Sequence, residues 1–442
     1  MANNIFRRLN STPNMMALFD DVSFVEAMLD FERALAFAQA ENGIFEPYTA
    51  EIIGSCCDVL KFDIPNMIEQ SAQHGTIVVP LVRQLTDIVA EKDKVASSWV
   101  HFGATSQDTI DTAIVMLLKK AVNIFRGDIG RLDKTLRSLA DRNKDTLMIG
   151  RTLLQPAVPI TFGQKVLGWH SAIMRNWQRI ENAGEEAFLL QLGGAAGNLS
   201  ALGDRAGAVI ESCATNLELG LPDGAWHVHR DRLVAVCSGV AILVGSLGKM
   251  AGDLSLLMQP EVGEVSERFD ADRGGSSAMP HKRNPVGCLI SLTASKRVPH
   301  LVAILYTALQ QEHERALGGW QAEWTTIPSI IETAAGSLAS MADLSEKVAA
   351  NPDVMRQNLD SLNGLTMSER VTSELTKKIG REEAVGIVTE ACRAAIAEGA
   401  NLSDILRADD RVMKHLTTKD INELMAPEGY VGTSLNIRSE KR

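Results

Sequence analysis

The placement of proline constrains this chain most. Only 14 of its 442 residues are proline, and none falls between Pro80 and Pro156, between Pro159 and Pro222, or between Pro352 and Pro427. An interior proline removes a helical hydrogen bond and clashes with the preceding turn, so gaps this long are what long helices require. Between Ile110 and Leu139 the helical period is explicit. Ile110, Ile114, Leu117, Ala121, Phe125, Ile129, Leu132, Leu136 and Leu139 recur at steps of three or four, one apolar stripe on a long helix. Leu233–Met258 is apolar nearly all round, which demands burial on every side and places it at the centre of a multi-helix bundle that subunits could share. Alternation of period two is rare and short. The expected fold is all-α with long central helices. At about 150 residues per domain the length suggests about three: an N-terminal helical domain over 1–110, a central long-helix bundle over 111–355 and a C-terminal helical domain over 356–442.

Composition narrows the function. Hydrophobic residues make up 45 % and charged residues 22 %, a globular balance rather than a disordered one. With 44 Lys+Arg against 55 Asp+Glu the net charge is −11, which argues against nucleic acid or any general polyanion as partner. An anionic ligand would have to be held by local cations. The first residues, Met1–Arg8, lead into polar Asn10, Ser11 and Asn14 without the apolar core of a signal peptide. The run Leu233–Leu247, closed by Lys249, falls short of the roughly 20 residues a membrane span needs. Six cysteines in no CxxC spacing suit buried free thiols in a reduced, cytoplasmic protein.

Several chemistries lack their motif. Leu243 and Met250 break the P-loop pattern around Gly248-Lys249, and the glycines of Gly193-Gly194-Ala195-Ala196-Gly197 have the wrong spacing for a dinucleotide fold. Neither HExxH nor GxSxG occurs. His227 and His229, two apart, would not share a helix face, so solvent or substrate contact is expected of them rather than a metal. No metal and no cofactor are expected.

The segment Gly274-Gly275-Ser276-Ser277-Ala278-Met279-Pro280-His281-Lys282-Arg283-Asn284-Pro285 carries the chemistry. Its glycines give a hinge, its later prolines a stiff far side. A serine there can move a proton if backbone N–H groups and a nearby ammonium stabilise its alkoxide, and Lys282 could supply that charge. From the residues alone, a flexible surface loop remains the alternative.

This segment resembles the GSSxMPxKxNP signature of the fumarase/aspartase superfamily, which includes the argininosuccinate and adenylosuccinate lyases. Thr105-Ser106-Gln107-Asp108 resembles the family's TSxD, and Gly150-Arg151-Thr152-Leu153-Leu154-Gln155-Pro156-Ala157 its GRTHxQxA. The resemblance implies a largely helical three-domain subunit, a homotetramer whose active sites draw on three chains, and proton transfer next to a carboxylate. By position it makes Ser276 the proton-transfer residue, aided by Lys282. It places Thr105, Ser106 and Asn284 at carboxylate-binding positions. His101, Arg151, Thr152, Gln155, Arg230 and Arg315 complete the expected substrate-binding set.

Two departures matter. Family lyases place a histidine after GRT and a glutamate seven residues after the loop lysine; here Leu153 and Leu289 stand there. A group that protonates a leaving amine is therefore missing, whereas a carboxylate, with a pKa near 4, attacks or departs without one. The sequence resembles the cycloisomerase branch of the superfamily, whose substrate is 3-carboxy-cis,cis-muconate of protocatechuate breakdown. Trp226-His227 before Arg230-Asp231-Arg232 and the stretch Gln311–Trp320 carry that likeness, although Val228-His229 replace the branch's usual Gly-Glu. The implied partner is a small tricarboxylate. The alternatives are another superfamily lyase, such as an adenylosuccinate lyase, and a non-catalytic structural relative.

Overall fold

The structure is a computed structural model that describes residues 5–268 and 274–432. The C-terminal stretch expected to run to residue 442 therefore extends beyond the described residues. The fold is all-α, with long helices at Asp21–Glu41, Ser106–Arg142, Phe162–Ala187, Asp231–Leu257, Val286–Thr307 and Gly319–Lys347.

Local chemistry accounts for their limits. Asp20 caps the first by accepting the Ser23 N–H at 2.8 Å, with Asp21 in the first turn where the helix dipole favours negative charge. The 37-residue helix Ser106–Arg142 buries every member of the stripe from Ile110 to Leu139. Pro299 and Pro328 lie inside helices, so scarcity rather than strict exclusion of proline marks the helical spans.

The chain forms two compact units. One comprises Met1–Ile129, Met174–Gly248 and Ile290–Ser340, the other Gly130–Ile173, Lys249–Leu289 and Met341–Arg442. Each gathers three separate stretches, an arrangement that cuts at residues 110 and 355 do not reproduce. The second unit holds two features absent from the sequence reading. Strand β1 (Leu147–Thr152) pairs antiparallel with β2 (Gln155–Thr161) across a two-residue turn, and Val265–Glu267 pairs with Val348–Ala350. A cluster of Val371, Leu375, Ile387, Leu402, Leu406 and Ile421 forms its C-terminal core.

The apolar helix Asp231–Leu257 buries Leu233, Val236, Val240, Leu243, Leu247 and Leu254 but leaves Ile242 and Leu256 exposed. It and Val286–Thr307 are long and apolar enough to cross a membrane. The shortness of Leu233–Leu247 is thus no argument against a span, because the helix outruns that segment at both ends. The burial of most of Asp231–Leu257 inside the protein is the behaviour of a core helix.

Two glycines test this packing in opposite directions. A methyl group at Gly336 would run into the Asn10 carbonyl, whereas one at Gly127 meets nothing. Gly336→Ala should lose about 1–3 kcal/mol. Gly127→Ala, on an exposed helix face, should gain up to about 1 kcal/mol. Urea midpoints of the two variants check both signs.

Candidate active site

In the first unit the site grows from the start of helix Ser106–Arg142. Asp108 is fully buried, and its carboxylate accepts four hydrogen bonds at 2.7–3.0 Å. The Thr105 N–H donates to Oδ2 at 3.0 Å, closing the helix end from within. The Gly193 and Gly194 N–H groups donate to Oδ1 and Oδ2, each at 2.9 Å, and His227 Nε2 lies 2.7 Å from Oδ1. Gly194 sits at φ +68°, and a Cβ there would come within 2.8 Å of the Gly103 carbonyl oxygen. Only glycine allows the two loops to approach this closely. His227 is thereby buried as a structural partner of Asp108, not turned to solvent or substrate as the sequence suggested.

The same carboxylate fixes Thr105 and Ser106, whose hydroxyls form no hydrogen bond with any described residue. They stand at the N-terminus of a 37-residue helix, where backbone N–H groups and the dipole favour an anion. Arg315 joins them: its Nε donates to Gln107 Oε1 at 3.1 Å and its Nη2 to the Ala195 carbonyl at 3.2 Å. No described residue accepts from Nη1. His101 stands in the loop before the helix, its Nδ1 2.7 Å from Glu32 Oε1. The structure thus brings His101, Thr105, Ser106 and Arg315 to one end of one helix.

Arg230 corrects the expectation. It is fully buried, with Nη1 and Nη2 donating to Asp111 at 2.7 and 2.9 Å, and Nε and Nη2 donating to Glu323 at 3.1 and 2.6 Å. Its guanidinium lies 5.0 Å from the Trp226 ring centroid, and Trp320 Nε1 donates to Asp111 at 3.0 Å. Burial alone would lower the arginine's pKa, but the two carboxylates outweigh it and hold the charge on more firmly than usual. Burial also pushes the Glu323 carboxyl upward, against the pull of Arg230. An arginine with every nitrogen spent on buried carboxylates has no donor left to orient toward a substrate.

The remaining expected residues belong to the second unit. Arg151 reaches Glu264 with both terminal nitrogens, at 2.9 and 2.7 Å, and Glu264 also accepts from Asn358 Nδ2. Its charge is largely spent there rather than free for a ligand. Thr152 and Gln155 are exposed and flank the turn between β1 and β2. Leu153 and Leu154 form that turn with φ of 51° and 64°, a left-handed geometry costly for leucine.

The signature loop closes on itself. The Asn284 N–H donates to the Gly274 carbonyl at 2.8 Å, and Gly275 bridges to Arg283. Inside it, Ser276 Oγ accepts the N–H groups of Met279 at 3.2 Å and Ala278 at 3.4 Å. Lys282 is exposed, and its N–H donates to the Met279 carbonyl. The flexible-surface reading overlooks this internal order: two backbone donors converge on the one hydroxyl expected to carry charge.

A family described as lyase matches residues 7–299, and one described as adenylosuccinate lyase C-terminus matches residues 364–439. The chain belongs to the fumarase/aspartase lyase family. It is 41 % identical to a 3-carboxy-cis,cis-muconate cycloisomerase of Bradyrhizobium diazoefficiens, over 96 % of this chain and 94 % of that one. It is 40 % identical to the enzyme of the same name from Pseudomonas putida, over 96 % of this chain and 100 % of that one. The crystal structure of the 3-carboxy-cis,cis-muconate lactonizing enzyme from Pseudomonas putida superimposes with a TM-score of 0.90 at 38 % identity. That match covers 98 % of this chain and 96 % of that one.

Sequence reasoning missed Glu32, Asp111, Glu264 and Glu323 as partners, and took no account of Asp108 although it closes the TSxD motif. Only Asp108 carried a signal, because the other four lie at least 69 residues from the His101, Arg151 or Arg230 that they bind.

The Arg230 cluster yields a stability prediction. Arg230→Leu leaves two carboxylates buried without their cation and should cost about 3–5 kcal/mol. Adding Asp111→Asn and Glu323→Gln should recover part of the loss, measured by denaturant unfolding. A normal midpoint for Arg230→Leu alone would contradict the structural assignment.

Proposed function

We propose that this chain is a cycloisomerase that closes the lactone of 3-carboxy-cis,cis-muconate, without metal or cofactor. One substrate carboxylate oxygen attacks a carbon of the conjugated double bond, and the C–O bond forms. The displaced π electrons move toward the neighbouring carboxyl, giving an enolate-like carbanion. Ser276 Oγ gives its proton to that carbon, and solvent returns a proton to the alkoxide.

The observation that carries this reading is the pairing of an ordered acid loop with two leucines. At Ser276 the Ala278 and Met279 N–H groups favour the charged oxygen over the neutral hydroxyl, which makes the serine a stronger acid. Lys282 adds an ammonium six residues along the same loop. Leu153 is 97 % exposed and Leu289 51 %, and neither carries a proton for a leaving amine. An adenylosuccinate-type elimination needs such a proton; intramolecular carboxylate addition does not. The names of relatives agree, as four that are 39–41 % identical to this chain are called 3-carboxy-cis,cis-muconate cycloisomerase.

His101, Thr105, Ser106, Arg315, Asn284, Thr152 and Gln155 are the substrate-binding set in this proposal, with Lys282 on the same loop as Ser276. The working form is a homotetramer in the cytoplasm, whose sites combine segments from different copies. Its support is apolar surface that a single chain leaves bare, at Leu153, Leu154, Ile242 and Leu289. The reduced state of all six cysteines fits the same compartment.

Ser276→Ala should fold and bind but lose about a thousandfold in kcat, followed by the fall in diene absorbance. Wild-type turnover should be unchanged by a chelator. Full activity in Ser276→Ala would remove the serine from the mechanism, and chelator-sensitive turnover would contradict the metal-free reading. Light scattering should give four chains per particle, and a stable monomer that turns over would overturn the shared site.

A further inference from the structure

Glu32 is a buried carboxylate that the proposed reaction does not use. It projects from helix Asp21–Glu41, and its Oε1 receives both His101 Nδ1, at 2.7 Å, and the Thr109 hydroxyl, at 3.1 Å. Seven residues further along, on the same helix face, buried Gln39 donates from Nε2 to the Phe102 carbonyl at 2.6 Å. The two side chains clamp a loop whose His101 backbone stands at φ 59°, a conformation costing about 1 kcal/mol or more for a non-glycine residue. With Nδ1 on Glu32, His101 Nε2 is left without a partner among the described residues, and the side chain keeps 16 % exposure.

We propose that Glu32 is a positioning residue that acts through His101, holding it by Nδ1 as an imidazolium whose Nε2–H binds a substrate carboxylate. The inference rests on the reading of this end of the helix as a tricarboxylate site.

Position 39 shows why a purely structural account falls short. A neutral amide suffices there to hold the loop, whereas a carboxylate at position 32 costs several kcal/mol to bury. The charge contributes most when its partner is charged as well. The surroundings bear this out. Burial by itself would depress the histidine, but the charge and hydrogen bond of Glu32 outweigh it, Asp108 adds to them, and the net effect is upward. Asp108 faces it from helix Ser106–Arg142 while bound to His227. The thiols of Cys57 and Cys213 lie in the same field and are themselves pushed up, so they stay neutral. Arg33 acts on Cys57 and forms its ion pair with Asp30. The histidine's pKa is thus raised on folding, so its favourable interaction is complete at low pH and is lost as pH rises through the raised value.

The test pairs spectroscopy with kinetics on the full-length enzyme. The His101 ring resonances, assigned by their loss in His101→Asn, are titrated by NMR in wild type, Glu32→Gln and Glu32→Asp. Wild type should titrate above the ordinary histidine value of about 6.5, and Glu32→Gln should titrate about one pH unit or more lower. With 3-carboxy-cis,cis-muconate, Glu32→Gln should keep kcat/KM within about threefold of wild type at pH 6 and lose about tenfold at pH 8. Glu32→Asp should restore most of that loss. An unmoved His101 titration, or a loss equal at both pH values, overturns the proposal. Absence of turnover in the wild type would instead refute the substrate reading, and the NMR titration would still judge the Glu32–His101 pair.

Discussion

Asp108 carries its charge out of reach of water, so that charge has to be met by donors from the protein. The donors it collects come from three places in the chain: the N–H that opens helix Ser106–Arg142, the 191–194 segment with its two glycine N–H groups and the more distant Gln191 amide, and the ring of His227. Each is local to its own loop; the carboxylate joins all three, and Gln107 Nε2 adds a second tie by donating to the His227 carbonyl at 2.8 Å. Because the glycine turn is pinned there, its carbonyls are in place to receive Arg315. The helix end is closed from inside, and the Thr105 and Ser106 hydroxyls form no hydrogen bond with any described residue. Charge-assisted hydrogen bonds of this kind are about twice as strong as neutral ones, which suits a group that fixes the geometry of a site.

The treatment of cations follows a second pattern. A chain with a net charge of −11 draws no trianion from a distance. Affinity must come from a few groups at short range. Two of the arginines expected there, Arg230 and Arg151, turn out to be bound to carboxylates of the chain itself. In the proposed reading the task falls to Arg315, His101 and a helix N-terminus in the first unit and to Lys282 in the second. In the first unit Arg230 is fully buried on two carboxylates, whereas Arg315 leaves Nη1 with no acceptor among the described residues.

Periodicity made the helices legible. The stripe from Ile110 to Leu139 is local information, and every member of it is buried. The hairpin at 147–161 escaped the same reading because β1 and β2 are short and β2 contains Pro156 and Pro159, which interrupt any alternation. The motifs located Thr105, Ser106 and Ser276 for a similar reason: each lies in a contiguous segment. Arg230 was misjudged because its partners stand 119 and 93 residues away, at Asp111 and Glu323, and no local pattern announces them. Glu32 escaped notice for the same reason, being one acid on a helix until its partner His101 is seen. A sequence shows where a cation is, but its availability depends on what folds against it.

In the proposed reaction a carboxylate closes onto a double bond and the enzyme moves one proton, to carbon. Proton NMR of the purified enzyme acting on 3-carboxy-cis,cis-muconate in D2O with a chelator present tests it directly. The product should be a lactone bearing a single deuterium, on a carbon next to a carboxyl group. Unchanged substrate, deuterium at more than one carbon, or fragmentation of the carbon chain would contradict it.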